Sequence, residues 1–345
     1  IWFECSVSES SRQYLIIGPS WVGDMVMAQS LFITLKKLYP DCEIDVVSPE
    51  WSLPVLERMP QVRQGIALQV AHGEFSFAQR YKLGRSLRSR NYTNAIVLPR
   101  SWKSALVPFF AGVPQRTGYK GEMRYGLLND IRSLDTTVLS QTAQRYVAHA
   151  YNESGYSASP PEVPYPDLRP DRKNAESLLV KFGLNLEKPV VGFMPGAEYG
   201  PAKQWPTEYF AQLADLLIKN GYQIWVFGSE KERNLGEEIV KGSPADAYNL
   251  CGKTELVDVI DLITCAEQVV TNDSGLMHVA AALDVKVNVI YGSSTPDYTP
   301  PLSDSAEILY QRLSCSPCFK RVCPFGHTNC LFQIKPDDVY SRIIN

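Results

Sequence analysis

The sequence predicts an α/β protein built from two Rossmann-like domains, and three observations indicate this. Residues 14–17 form an apolar run that leads through a Gly/Pro loop into the amphipathic stretch 25–39 and a second apolar run, 44–47. That order is a strand–loop–helix–strand unit of a parallel sheet. The same alternation restarts at residue 190, and a proline-rich stretch around residues 160–170 lies between the two halves, as in an interdomain linker. Helices are predicted on either side of this stretch, at about 140–154 and at about 172–182.

These patterns predict three segments. Residues 1–13 are serine-rich and are predicted to be a disordered extension, residues 14–170 an N-terminal domain with its linker, and residues 171–345 a C-terminal domain. The C-terminal domain ends in a cysteine-rich tail and a closing helix. A chain of 345 residues is long enough for two such domains.

Composition narrows the function classes. A net charge of −3 gives no general case for nucleic-acid binding, and no apolar run approaches the roughly 18 residues that a transmembrane helix needs. The first thirteen residues lack the apolar core of a signal peptide, and the eight cysteines are used unevenly. Both features are typical of a reducing, cytoplasmic setting.

In the first half, Asp24 follows the first strand and its glycine-containing loop. Parallel sheets bind ligands at the loops beyond the carboxyl ends of their strands, so Asp24 is a candidate functional carboxylate. The alternative is that it only caps the helix that starts there.

A basic window follows at residues 72–132, where eleven lysines and arginines face three acidic residues, a balance of 11 − 3 = +8 in a chain of net −3. Its helical part, residues 80–90, fits a solvated helix face equally well. Five other cations are expected in loops, where guanidinium and ammonium groups suit phosphate or carboxylate: Arg100, Lys103, Arg116, Lys120 and Arg124. The window lacks the aromatic interleaving of nucleic-acid-binding surfaces, which favours an anionic acceptor.

In the second half, the stretch 271–283 organises the chain. A short strand at 268–270 precedes it, and an Ala-rich helix from residue 277 is capped by Asn272, Asp273 or Ser274. Gly275 lets a ligand approach, and the helix N-terminus suits phosphate. Asp273 would repel a bare phosphate, so a ligand with hydroxyls as well, such as a nucleotide-sugar, fits better. The alternative is a capped turn without a ligand.

Other motifs are absent or ambiguous. There is no G-x-G-x-x-G after the first strand, no P-loop and no D-x-D pair, which argues against a dinucleotide oxidoreductase, a P-loop enzyme and a carboxylate-held Mg²⁺. Lys203, in a Gly/Pro loop, can neutralise a diphosphate or be an ordinary surface lysine. His278 alone is more often structural. Four clustered cysteines leave a structural zinc site, free thiols and redox behaviour open: Cys315, Cys318, Cys323 and Cys330.

Four long motifs, together with R-T-G-Y-K-G-E-M-R-Y-G-L-L-N-D at 116–130, carry a resemblance. They are G-P-S-W-V-G-D-M-V-M (18–27), P-G-A-E-Y-G-P-A-K-Q-W-P (195–206), T-N-D-S-G-L-M-H-V-A-A-A-L (271–283) and Y-G-S-S-T-P-D-Y-T-P-P-L (291–302). In this order they resemble the bacterial lipopolysaccharide heptosyltransferases, most closely the members that act on an already heptosylated acceptor. The resemblance covers residues 14–345.

The resemblance implies a GT-B fold, with two Rossmann-like domains facing across a cleft. It implies metal-independent, cofactor-free, inverting transfer of heptose from ADP-heptose to heptosyl-Kdo-lipid A, at the cytoplasmic face of the inner membrane. Heptose transfer to another core position, a GT-B nucleotide-sugar epimerase and a membrane-surface binding module are the alternatives.

The resemblance also implies roles. Asp24 would be the general base, and Lys203 with the N–H groups of Ser274, Gly275 and Leu276 would stabilise departing ADP. Asp273 and His278 would position the heptose and diphosphate, and Glu232 the ribose. The remaining donor contacts are expected at Gly196, Ala197 and Ser229, and the five loop cations would meet the carboxylates and phosphates of the acceptor. The four-cysteine tail has no implied role.

Overall fold

The computed structural model describes residues 12–70, 75–152, 159–243 and 245–344. The extension predicted at residues 1–13 lies outside these ranges except for its last two residues, and Gln13 already belongs to the first strand. The described chain forms two compact units. One comprises residues 12–20 and Ala28–Pro164, and the other comprises Trp21–Met27 and residues 165–344.

The first unit contains a parallel sheet in the order β3-β2-β1-β4-β5-β6 within the described residues. Its strands are β1 Gln13–Ile17, β2 Glu43–Ser48, β3 Gln64–Ala67, β4 Asn94–Val97, β5 Gln115–Tyr119 and β6 Asp130–Arg132. The helices of this part of the chain are α1 Val22–Leu38, α2 Leu53–Glu57, α3 Phe77–Ser86, α4 Leu106–Phe110 and α5 Thr142–Val147. The first turns of α1 are grouped with the second unit.

The middle of this sheet is apolar on both faces. Leu15 and Ile16, adjacent along β1 and therefore on opposite faces, are both fully buried, as parallel sheets covered by helices require. One charge is buried beside them: Asp45 of β2 accepts hydrogen bonds from Arg63, Arg90 and Tyr92. Burial alone would raise the pKa of Asp45, but hydrogen bonds from Arg63 and Tyr92 outweigh it and hold that pKa below its ordinary value.

The second unit repeats the arrangement. Among its described residues the sheet order is β12-β11-β10-β7-β8-β9, again wholly parallel. The strands are β7 Val190–Met194, β8 Gln223–Val226, β9 Ala247–Asn249, β10 Gln268–Asn272, β11 Lys286–Tyr291 and β12 Ala306–Tyr310. The helices are α6 Arg172–Phe182, α7 Thr207–Lys219, α8 Arg233–Val240, α9 Leu256–Ile263, α10 Gly275–Ala282, α11 Asn329–Phe332 and α12 Pro336–Ile344.

Numbered from its own first strand, each sheet runs 3-2-1-4-5-6, which is the Rossmann order. The prediction of two Rossmann-like domains is therefore confirmed. The prediction of α6 is also confirmed at both ends, because Asp171 caps it with bonds from Lys173 N and Asn174 N, and Gly183 ends it at φ 63°.

Two local predictions were wrong, and one strand was not predicted. The helix expected at 140–154 is shorter, since α5 ends at Val147 and passes into a 3₁₀ turn, Ala148–Ala150. Arg116 lies in β5 and not in a loop, because Q-R-T-G-Y has no apolar run yet is held between β4 and β6. The strand that was not predicted is β3, at one edge of the first sheet, which is half-exposed and contains Gly65. None of the described helices has the length and apolarity needed to cross a bilayer.

Candidate functional site

The turn between β10 and α10 lies at the carboxyl end of the second sheet. β10 ends at Asn272, Ser274 occupies the N-cap position with an extended backbone, and α10 begins at Gly275. The Ser274 side chain makes no capping bond to the helix. Ser274, Gly275 and Leu276 are half-buried, so the first-turn N–H groups, which have no intrahelical acceptors, lie near an accessible surface.

An ion pair lies beside this helix start. Lys203 Nζ is 2.5 Å from Asp273 Oδ2, and Ser294 Oγ donates to the same oxygen. The Asp273 side chain is 5% exposed and the Lys203 side chain 17% exposed, so the pair is largely shielded from water. Three loops, which follow β7, β10 and β11, thus meet at one carboxylate. Sequence reasoning found the lysine and the aspartate separately but missed Ser294 and the contact between them.

Asn272 and Trp205 hold the Lys203 loop in place. Asn272 is fully buried, and its side-chain amide donates to Pro195 O at 2.7 Å while its Oδ1 accepts Trp205 N–H at 2.9 Å. The Trp205 ring is also buried, and its Nε1 donates to Ile334 O at 2.9 Å. Because both ends of the loop are bonded to β10, Lys203 is positioned by the core of the sheet and not by the surface.

Glu232 lies against two glycines of the neighbouring loops. An added Cβ at Gly196 would come 2.9 Å from Glu232 Cγ, and one at Gly228 would come 2.9 Å from Glu232 Cβ. Glu232 Oε2 accepts bonds from Ser229 N at 2.8 Å and from Ser229 Oγ at 2.5 Å. The structure therefore gives Ser229 and Glu232 a capping role at the 3₁₀ turn Glu230–Glu232, which leads into α8. Their donor contacts stay a prediction. Ala197, next to Gly196, is buried.

His278 lies in the second turn of α10 and is buried. Burial lowers the pKa of His278 to about 4, so the imidazole is neutral near pH 7. The second unit also contains Trp21–Met27, and a Cβ added to Gly23 would lie 2.7 Å from His278 Cδ2 and 3.3 Å from Gly275 Cα. Only glycine allows this approach. The half-buried Asp24, in the first turn of α1, is therefore one residue from a contact with α10.

Of the five predicted acceptor-binding cations, Arg100 and Lys120 lie in two loops of the first unit that are bonded together, and Lys103 lies in the 3₁₀ turn Trp102–Ala105 that follows Arg100. Arg100 Nη2 donates to Lys120 O at 3.1 Å, and Glu122 Oε2 accepts Trp102 N–H at 2.9 Å. A Cβ at Gly121 would lie 2.3 Å from Arg100 O, so the loops approach as closely as glycine permits. Arg100 and Lys120 are exposed at this place.

The other two cations serve the first unit itself. Arg124 is 2% exposed, donates to Pro99 O and Tyr119 O, and has its pKa lowered by burial to about 10. Arg116 donates to Leu127 O at 2.7 Å and to Val113 O at 2.5 Å. Their predicted role toward the acceptor stays a prediction, and the structure adds an internal role that their residue type did not reveal.

The cysteine-containing tail packs on the loops that form the site. Phe319 N donates to Ser293 O at 2.7 Å, Ala202 N donates to Arg321 O at 3.1 Å, and Ser316 Oγ donates to Gly292 O at 2.6 Å. Tyr199 OH donates to Phe319 O at 2.7 Å as well. The segment therefore supports both the Lys203 loop and the Ser294 loop. No pattern in the sequence indicated this role.

The thiols themselves are unpaired. Every cysteine within the described ranges is a free thiol, including the four of the tail. In those same ranges no group of three or more Cys, His, Asp or Glu side chains is arranged to hold a metal ion. Of the alternatives left open by the spacing, the zinc site thus gains no support from the geometry.

Comparison with known proteins places these features in a family. The family model for glycosyltransferase family 9 (heptosyltransferase) matches residues 80–329. The lipopolysaccharide heptosyltransferase 2 of Escherichia coli K12 is 45% identical over 337 residues, which cover 95% of this chain and 97% of that protein. The lipooligosaccharide heptosyltransferase 2 of Haemophilus influenzae is 48% identical over 306 residues, covering 86% of this chain and 87% of that protein.

A solved structure agrees with these sequence relationships. The structure of the E. coli ADP-heptose lipopolysaccharide heptosyltransferase II superposes with a TM-score of 0.86 at 43% identity, covering 96% of this chain and 97% of that chain. The expected GT-B fold, with its two Rossmann-like domains, is thereby confirmed.

Proposed function

The chain belongs to glycosyltransferase family 9, the heptosyltransferases, and from this premise we propose that it transfers heptose from ADP-L-glycero-D-manno-heptose to the first heptose of heptosyl-Kdo-lipid A. The observation that carries the proposal is the Lys203–Asp273 ion pair at the N-terminus of α10. It brings together a cation for a diphosphate, a carboxylate for sugar hydroxyls and helix N–H groups for phosphate oxygens.

In the proposed reaction the acceptor hydroxyl attacks the anomeric carbon of the donor as the bond to ADP breaks, with inversion at that carbon. Asp24 accepts the proton of the attacking hydroxyl, so that no free alkoxide has to form. A general base of this kind contributes roughly 10²–10⁴-fold to the rate. The position of Gly23 against Gly275 and His278 supports this assignment, because it brings the Asp24 segment to the start of α10.

Negative charge grows on the diphosphate as ADP leaves. Lys203 and the N–H groups of Ser274, Gly275 and Leu276 supply the opposing positive charge, which is the reason for proposing that neither a metal nor a cofactor takes part. Asp273 neutralises Lys203 in the ion pair. With donor bound, the lysine is shared with the diphosphate, and Asp273 accepts hydrogen bonds from heptose hydroxyls. Neutral His278 can donate or accept one hydrogen bond beside them.

Two further parts of the proposal concern the acceptor. The exposed Arg100 and Lys120, with Lys103, bind the carboxylates and phosphates of the Kdo-containing core. Because lipid A is anchored in a bilayer, we place the enzyme at the cytoplasmic face of the inner membrane as a peripheral protein.

The test is ADP release from ADP-heptose with heptosyl-Kdo-lipid A, with Kdo-lipid A and with no acceptor, each with and without EDTA. Turnover only with the heptosylated acceptor, unchanged by EDTA, is the expected result. Turnover with Kdo-lipid A would mean addition of the first heptose instead. Loss of turnover in EDTA, restored by a divalent cation, would overturn the metal-independent mechanism.

A further inference from the structure

Aromatic side chains from three segments of the first unit meet at its surface. Phe75, Phe77, Tyr81, Trp102 and Phe109 are each between 39% and 47% exposed. Their rings contact one another directly or through Phe110, with centroid distances of 4.9 Å for Phe75–Trp102, 5.7 Å for Phe77–Phe110 and 4.9 Å for Tyr81–Phe110. Folding thus brings aromatic and basic residues together on one surface, an arrangement that the linear sequence did not reveal.

The surface is held rigidly from below. An added Cβ at Gly84 would lie 2.6 Å from Phe110 Cβ, so α3 and α4 pack as closely as glycine allows. Arg80 is buried beneath the rings and its Nε donates to Phe75 O at 2.8 Å, while Arg88 Nε donates to Phe110 O at 2.8 Å. Two arginines therefore bind the backbone of the exposed Phe75 and of Phe110, against which the exposed rings pack.

The stretch of sequence that carries the rings is basic. From Phe75 to Gly121 the chain contains nine lysines and arginines and no aspartate or glutamate. Lys82 and Arg85 are exposed on α3, on the turns that also carry Phe77 and Tyr81. The carboxylate bonded at the border of the surface is Glu122, which accepts Trp102 N–H. We call the five exposed aromatic residues, with Lys82, Arg85, Arg88 and Lys103, the aromatic–basic surface.

We propose that the aromatic–basic surface is where this protein docks on an anionic lipid bilayer. Aromatic rings enter the interfacial region of a bilayer, and flanking lysines and arginines are attracted to anionic headgroups. Half-exposed rings held in a rigid frame reach the headgroup layer without unfolding any element. The inference deepens the proposed function, because it rests on the peripheral membrane association stated there.

The charge pattern decides between a bilayer and a second copy of the chain. A two-fold contact through this surface would place one cation-only region against its own copy, with no acidic residues from the stretch to pair with them. An anionic bilayer supplies the opposite charge across the whole surface and an apolar layer behind it.

The experiment is cosedimentation of the full chain with sucrose-loaded vesicles of phosphatidylcholine alone, or with about one lipid in three replaced by phosphatidylglycerol. We expect binding to the anionic vesicles that weakens as salt rises, and at least tenfold weaker binding to the neutral ones. Two double variants should each reduce the partition coefficient on anionic vesicles about tenfold or more. The aromatic variant is Phe77→Ser/Tyr81→Ser, and the charge variant is Lys82→Glu/Arg85→Glu.

Lys181→Glu/Lys219→Glu is the matched control, since it makes the same charge change at exposed lysines of the second unit and should bind like wild type. Circular dichroism and the melting temperature show whether each variant folds. The charge variant tests the proposal even if the aromatic variant does not fold. Surface variants that bind vesicles as wild type does would overturn the proposal. The proposal would also be overturned if the wild-type protein were a dimer and the aromatic variant were a monomer that still binds vesicles as the wild type does.

ADP release with a deacylated, soluble heptosyl-Kdo acceptor separates this proposal from the proposed reaction. All surface variants should turn over that acceptor at the wild-type rate. Vesicle binding without any turnover would contradict the reaction and leave the docking surface standing. Turnover without vesicle binding would contradict the docking surface alone.

Discussion

Lys203 Nζ and Asp273 Oδ2 lie 2.5 Å apart although the two residues are 70 positions apart in the sequence. The pair connects the loop after β7 with the loop after β10, and Ser294 adds the loop after β11 to the same carboxylate. An ion pair this shielded stabilises only while both partners are present, because removing one leaves a buried charge without compensation. The pair is therefore expected to have a structural consequence and, in the proposed reaction, a catalytic one, and experiments can separate the two.

Replacing Lys203 tests both consequences. Lys203→Ala should lower the free energy of unfolding by about 3 kcal/mol, since Asp273 then remains charged and nearly buried. It should also reduce kcat/KM for the donor by about 10²–10³-fold, as the cation facing the diphosphate is lost. Urea unfolding and steady-state ADP release measure the two effects.

The control for Lys203→Ala is the double variant Lys203→Ala/Asp273→Asn. Removing the carboxylate charge should restore most of the stability and none of the activity. Recovery of turnover together with stability would mean that Lys203 acts only by neutralising Asp273.

Asp24→Asn tests the proposed base. The amide keeps the shape of the side chain but cannot accept the proton, so kcat should fall by about 10²–10⁴-fold while the melting temperature stays close to wild type. Asp41→Asn, at an exposed aspartate beyond the same helix, is the matched control and should keep full activity. Wild-type turnover by Asp24→Asn would contradict the assignment of Asp24 as the general base.

His278 makes stability depend on pH. Its pKa of about 4 in the folded protein lies below the ordinary value of 6.5, because burial disfavours the charged imidazole. The unfolded chain therefore binds the proton first, so the contribution of His278 is complete above pH 6.5 and is lost as pH falls toward 4. Between pH 7 and pH 4.5 this loss should amount to about 2–3 kcal/mol of unfolding free energy.

Urea unfolding of wild type and His278→Gln at pH 7 and pH 4.5 measures that loss. Glutamine does not titrate, so the variant should lose correspondingly less stability between the two pH values. An equal loss in both proteins would show that His278 does not titrate as its burial requires. His149, also buried and with its pKa lowered to about 3, remains in both proteins and cancels from the comparison.

Gly200→Ala tests the support given by the tail. Gly200 has φ 148°, and an added Cβ would lie 2.6 Å from Arg321 O, a backbone atom that cannot move alone. The variant should lose about 2 kcal/mol of stability, and the donor KM should rise because Lys203 follows three residues later. Gly242→Ala, whose Cβ would meet only atoms at the end of the Asp215 side chain, the nearest at 3.2 Å, should change neither quantity.

If Gly200→Ala keeps wild-type stability and donor KM, the tail packs on the loop without positioning it. If only stability falls, the tail serves the fold and not the donor site. Thermal unfolding and a donor titration on the same preparations distinguish these results.

The sequence alone determined the alternation of strands and helices and the candidate residues Asp24, Lys203 and Asp273, because periodicity, capping and loop chemistry are local properties of the chain. It placed α6 correctly at both ends for the same reason. It missed β5, where pairing with two neighbouring strands overrides a composition that favours a loop.

Only the tertiary structure decided which distant residues meet. It joined Lys203 to Asp273, turned Arg124 inward toward backbone carbonyls, and gathered rings from α3, α4 and their preceding loops into one basic surface. It also set the cysteine-containing tail against the loops of the site. Such contacts depend on where the chain returns in three dimensions, which is fixed by strand order and packing and not by the spacing of residues along the sequence.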